Sequence, residues 1–150
     1  MKLPVNLKNI ITADTIPDGR FRMRITKATI FPKDKEMGER GEVIGEVNDK
    51  GNQKYGWLNL ALRFVEHPSN YVPGPDGQIQ GLVGQTRFDS VSFAMFRQLN
   101  DLYAAVGVDT DAELEALEDQ EVDVVYKSKP RYDNPDVMEV ALKGFKRPVG

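Results

Sequence analysis

The chain has 150 residues, with 20 Lys and Arg against 23 Asp and Glu, one histidine and no cysteine. That length supports one domain with its own core, and the composition excludes disulfides, thiolate metal sites and a histidine cluster. A net charge of -3 argues against a nucleic-acid binder, yet Arg20 to Arg63 holds ten Lys or Arg against six Asp or Glu, whereas Asp101 to Gln120 holds seven acids and no base.

Residues 1–17 read as an irregular start. Lys2, Asn6, Lys8 and Asn9 interrupt its apolar residues, and no run approaches the roughly 20 apolar residues of a membrane span. Neither a signal peptide nor a membrane partner is expected, and the expected location is the cytoplasm. Pro17-Asp18-Gly19 forms a turn that launches a long first strand, Arg20 to about Phe31. Arg20, Arg22 and Arg24 share one face of it and Phe21, Met23 and Ile25 the other. The alternation slips near Lys27, where Ile30 and Phe31 are adjacent apolar residues, so a bulge is expected there.

Residues 32–54 carry many charges and four glycines, and read as a long loop or exposed hairpin with a short strand over Val43 to Val47. Tyr55 to Val65 is the second main strand. Leu58, Leu60, Leu62 and Phe64 point one way, and Tyr55, Trp57, Asn59 and Arg63 the other. Residues 66–84 form a second long loop rich in Pro and Gly. Gln85 to Val91 reads as a third strand, with Phe88 expected in the core.

The period then lengthens to about 3.6, and residues 93–119 read as a helical insertion. Its first helix spans Phe93 to Val106, with Ser92 as N-cap, Gly107 as C-cap, and Phe93, Phe96, Leu99 and Tyr103 facing the core. A second helix, Asp111 to Asp119, is expected behind a Thr110–Glu113 capping box, with Leu114 and Leu117 inward. Glu121 to Ser128 is a fourth strand with Val122, Val124 and Tyr126 on one face. A hairpin loop, Pro130 to Pro135, leads into a fifth strand, Asp136 to Lys146. Three strands, helices and two strands in one domain, 1–150, match the connectivity of the OB-fold, a small mainly β Greek-key barrel with a helical insertion between strands 3 and 4.

The chain resembles the OB-fold single-stranded-DNA-binding proteins of bacteriophages. The resemblance is carried by Asp18-Gly19-Arg20-Phe21-Arg22-Met23-Arg24-Ile25, Trp57-Leu58-Asn59-Leu60, the helix ending Ala104-Ala105-Val106-Gly107-Val108, Leu117 to Val124, and Arg131-Tyr132-Asp133-Asn134. It implies coating of single-stranded DNA in replication, recombination or repair within a bacterial host cell, with little sequence preference and without catalysis. Replication or recombination proteins are the implied protein partners, and a homo-oligomer is compatible with it. The resemblance stops at Phe145-Lys146-Arg147-Pro148-Val149-Gly150, which is basic where many such proteins carry an acidic tail.

From the residues themselves, Tyr55 and Trp57 are candidates to stack bases, and Arg20, Arg22, Arg24 and Arg63 to hold phosphates. Carboxylates close to the arginine row would instead neutralise it, and Asp89 is an alternative partner for Arg63. Lys127, Lys129, Arg131 and Tyr132 surround the loop between the last two strands, where OB-folds border their cleft. No cofactor or metal is expected. Asp34, Glu36, Glu39, Glu42 and Glu46 sit on a charged loop rather than on rigid elements, so a metal-dependent nuclease is the weakest reading. A protein-interaction module on the same barrel is the other alternative.

Overall fold

A computed structural model of the protein describes residues 18–68, 70 and 82–149. The irregular start expected over 1–17 and most of the loop after Glu66 lie outside these residues. Strand β1, Gly19–Phe31, is the centre of a five-stranded antiparallel sheet. Two small strands, β2 (Glu42–Val47) and β3 (Gln53–Tyr55), form a separate hairpin. They are followed by β4 (Trp57–Phe64), β5 (Thr86–Ser92), helix α1 (Phe96–Val106), a 3-10 turn (Leu114–Leu117), β6 (Glu121–Pro130) and β7 (Met138–Lys146). The strand order in the sheet is β5-β4-β1-β6-β7.

The slip in the β1 pattern is a bulge. Ile25 pairs with Leu62 but Lys27 pairs with Ala61, leaving Thr26 as the extra residue, and its hydroxyl donates to the Ala61 carbonyl at 3.1 Å. One added residue reverses the parity of everything after it. Before the bulge Phe21, Met23 and Ile25 are buried; after it Ala28 is, and Ile30 lies opposite Leu58 while Phe31 lies opposite Trp57. Two adjacent apolar residues therefore serve opposite faces of the sheet.

The inward side chains of β1, β4 and β6 make the core, with Phe21 and Phe64 edge to face at 5.6 Å and Leu117 fully buried in the same cluster. The 32–54 segment is the hairpin alternative, and Gly41 ties it down. At φ +77 Gly41 sits in the left-handed region, a Cβ there would lie 2.4 Å from the Phe93 Cβ, and its carbonyl accepts from the Gly56 N–H at 2.9 Å. Among the described residues no helix is long and apolar enough to cross a membrane.

Several expectations are corrected. The second helix is only the 3-10 turn, because the Asp109 carboxylate accepts from the Asp111 N–H and Asp119, at φ 66, turns the chain back so that its N–H donates to Ile25 O. Helix α1 starts three residues late, because the Phe93 N–H is taken by the Gly56 carbonyl and the Ser92 hydroxyl accepts from Ala94 instead of capping. Gly107 does close it, at φ 72. Leu102 and Ala105 are the buried residues of α1, whereas Phe93, Leu99 and Tyr103 are only partly buried and Phe96 is exposed.

The sheet is not closed into a barrel: among the described residues no backbone ladder joins edge strands β5 and β7. Side chains occupy that seam. Arg87 and Asp89 point inward from β5, Arg87 Nε lies 3.1 Å from both Asp89 carboxylate oxygens, and its Nη2 donates to Val140 O of β7 at 2.9 Å. The Tyr126 hydroxyl donates to Asp89 Oδ2 at 2.7 Å, and the Arg87 guanidinium sits 4.7 Å from the centre of the Tyr126 ring. A single guanidinium hydrogen bond thus spans the gap.

Candidate nucleic-acid interface

The three arginines of β1 share a face, as their spacing requires, but β6 has neutralised it. Register places Arg22 opposite Asp123 and Arg24 opposite Glu121. Arg22 is buried, its Nε donating to Asp123 Oδ1 and its Nη2 to Val149 O, both at 2.6 Å. Arg20 shares the same carboxylate through Oδ2 at 2.8 Å and donates to Arg147 O, and Arg24 reaches Glu121 at 3.1 Å. Asn70 seals the edge by accepting from the Arg22 N–H at 2.8 Å. Of this row only Arg22 is buried, while Arg20 and Arg24 stay exposed and paired with the two β6 carboxylates. Arg22→Ala should lower stability by about 1–3 kcal/mol, the cost of stranding a buried partner while Arg20 still holds Asp123. Urea unfolding reads this loss, and the salt dependence of any ligand binding should not change.

The open face lies across the second half of β1, β4 and β5. Cross-strand register arranges it in four rows: Phe31, Trp57 and Ser92; Thr29, Asn59 and Ser90; Lys27, Ala61 and Phe88; then, beyond the bulge, Arg24, Arg63 and Thr86. Successive rows stand about 6.6 Å apart, two strand residues each. Phe31 and Trp57 stack with ring centres 4.7 Å apart, and Phe88 is 74% exposed. The assignment of Phe88 to the core is therefore wrong: on β5 it is Arg87, Asp89 and Val91 that turn inward, because Leu62, Leu60 and Leu58 face them across the ladder.

Between the aromatics the face is polar. Ser90 donates to Asn59 Oδ1 at 2.6 Å, and a depression of about 370 Å³ is lined by Lys27, Thr29, Asn59, Phe88, Ser90 and the buried Asp89 among others. Lys27 and Arg63 are exposed, and neither has a carboxylate within ion-pair reach among the described residues. Arg63 does not pair with Asp89, which is committed to Arg87. No Asp or Glu stands in any of the four rows. The carboxylates that border these rows, Glu121 and Asp89, are paired with Arg24 and Arg87.

The remaining candidates fall elsewhere. Tyr55 ends β3, opposite Glu42 in the small hairpin, outside these rows. Lys127, Lys129, Arg131 and Tyr132 lie on or beside the β6–β7 hairpin, which runs past the start of β1 at Gly19. Lys127 is exposed, Lys129 is 4.0 Å from Glu139, Arg131 is held by both oxygens of Asp133, and Tyr132 is 100% exposed. Lys27, Phe31 and Phe88 are the members the sequence reading missed, and the bulge slip was the signal that could have turned Lys27 and Phe31 outward. Among the described residues no three His, Asp or Glu come together as a metal site, and Glu46 of the acidic loop pairs with Lys35 at 3.4 Å.

No protein-family model matches the chain, and comparison with curated proteins returns no match.

Proposed function

We propose that the protein binds single-stranded DNA with little sequence preference on the outer face of β1, β4 and β5, coating single strands in replication, recombination or repair. One observation carries the reading: in a chain of net charge -3, this face combines a stacked aromatic pair, a second exposed ring and two cations without an ion-pair partner among the described residues, and none of its four rows holds a carboxylate. Every base has a ring face to stack and every nucleotide a phosphate, so such a surface is sequence-tolerant. The strand order, the helical segment between β5 and β6, and the side-chain bridge across the seam support an OB-type sheet whose barrel is completed by Arg87. Phosphates would meet Lys27, Arg63 and the exposed part of Arg24.

The test is a fluorescence titration with oligo-dT of about 30 nucleotides, enough for more than one site. Trp57 is the only tryptophan, so quenching reports on the aromatic row itself. Quenching that weakens with salt and is small with duplex DNA is the expected result. No response at low salt rejects the reading and leaves a protein-interaction surface as the better one.

A further inference from the structure

The depression on the open face lies where its four rows carry their smallest side chain. Ala61 sits between Lys27 and Phe88 in one row, and the next row toward Trp57 is Thr29, Asn59 and Ser90. A flat ring lowered over Ala61 therefore meets an exposed phenyl ring on one side, a lysine on the other and a polar row at its edge. Leu60 and Asp89 complete the lining, and the Asp89 carboxylate is held by Arg87 and Tyr126.

Within the polar row the Asn59 amide is fixed in direction. The Ser90 hydroxyl lies 2.6 Å from Asn59 Oδ1. That is an ordinary length for O–H···O and a short one for N–H···O, so the amide oxygen, not the nitrogen, faces Ser90. The oxygen keeps a second lone pair and the nitrogen keeps both hydrogens, and none of these has another partner among the described residues. Asn59 thus offers a donor and an acceptor side by side where it lines the depression.

The Watson–Crick edge of every base carries the complementary pair: N3–H beside O4 in thymine, the amine beside N3 in cytosine, the amine beside N1 in adenine, and N1–H beside O6 in guanine. In a duplex each of these is taken by the opposite base. We propose that Asn59, held in place by Ser90, binds the unpaired Watson–Crick edge of whichever base lies over Ala61, with Phe88 against the ring and Lys27 near the phosphate. The proposal rests on the single-strand reading and deepens it. A donor–acceptor pair that all four bases satisfy is tolerant of sequence, yet a paired base cannot use it. Rings and cations select for exposed bases and charge; the amide makes base pairing itself the excluded state, and Ser90 acts as its positioning residue.

Thymine provides the test, because N3–H is its one edge donor and oligo-dT forms no pairs of its own. N3-methylthymine keeps the ring, the charge and the backbone and loses that donor. Read by Trp57 quenching, a dT oligomer of about eight nucleotides should bind the wild-type protein about tenfold more tightly than its N3-methyl counterpart, the scale of one hydrogen bond. Asn59→Ala should bring dT down to the affinity of the methylated strand, and Ser90→Ala, which frees the amide to turn, should narrow the ratio. Salt slopes should be the same in all of these pairs, since no phosphate contact changes. Equal binding of dT and its N3-methyl form by the wild type, or a ratio that survives Asn59→Ala, overturns the proposal and leaves the single-strand reading in place. Absence of dT binding overturns both.

Discussion

Asp89→Ala should destabilise the protein by about 3–5 kcal/mol, the range for removing one partner of a buried ion pair. Asp89 is the shared acceptor of Arg87 and Tyr126, and both partners are buried. Without it Arg87 keeps, among the described residues, the Val140 carbonyl across the β5–β7 seam and the face of the Tyr126 ring. A double replacement, Arg87→Met with Asp89→Leu, should recover much of the loss, because an apolar pair of similar volume carries no desolvation cost. Urea unfolding of the three proteins checks this, and equal losses in the single and double variants would show that the charge itself is not the issue. The network also predicts an alkaline limb. Burial, then the Asp89 charge and its hydrogen bond, push the Tyr126 phenol well above its usual value, opposed by Arg87. The unfolded phenol ionises near pH 10 while the folded one holds its proton, so this stability is fully present below about pH 10 and is lost as pH rises above it toward the folded value. Tyr126→Phe should flatten that loss.

Much of the sheet was legible because alternation is a local property. The β1 bulge, the β4 and β6 faces and the Gly107 cap each follow from a few adjacent residues. The arginine row was legible as a row but its carboxylate partners were not, because the deciding fact is the register that sets Asp123 and Glu121 against it, some hundred positions along the chain. Phe88 failed for a related reason. Its strand alternates a ring with two charged residues, and a charged pair normally faces water; here Arg87 and Asp89 satisfy one another inside and the ring is displaced to the surface. The open seam between β5 and β7 was not legible at the same place, since nothing in a linear pattern marks an edge that a guanidinium bridges. The outward Phe88 and the missed seam are two consequences of one inward-turned pair, while Lys27 and Phe31 turn outward through the β1 bulge.

Replacing Trp57 and Phe88 together by alanine should nearly abolish single-strand binding. Each lost stacking ring costs about 1–3 kcal/mol. The two stand two rows apart along the strands, about 13 Å, with no shared partner, so their effects should add to about 2–6 kcal/mol. At 1.4 kcal/mol per tenfold, affinity falls roughly 30-fold to 10⁴-fold. Both side chains project from the sheet away from the core, so the unfolding midpoint should move little, which separates this double variant from Asp89→Ala. Its salt slope should match the wild type, because the phosphate contacts remain; Lys27→Ala and Arg63→Ala should each reduce the slope by about 0.7 while leaving the rings in place. Binding isotherms at several salt concentrations, followed by polarisation of a labelled dT oligomer since Trp57 is gone, measure all of these together. The single-strand reading requires the rings to carry the salt-independent part of affinity and the two cations the salt-dependent part. Wild-type affinity in the Trp57 and Phe88 double variant would show that strands bind elsewhere, and the outer face of β1, β4 and β5 would then lose its claim to be the binding surface.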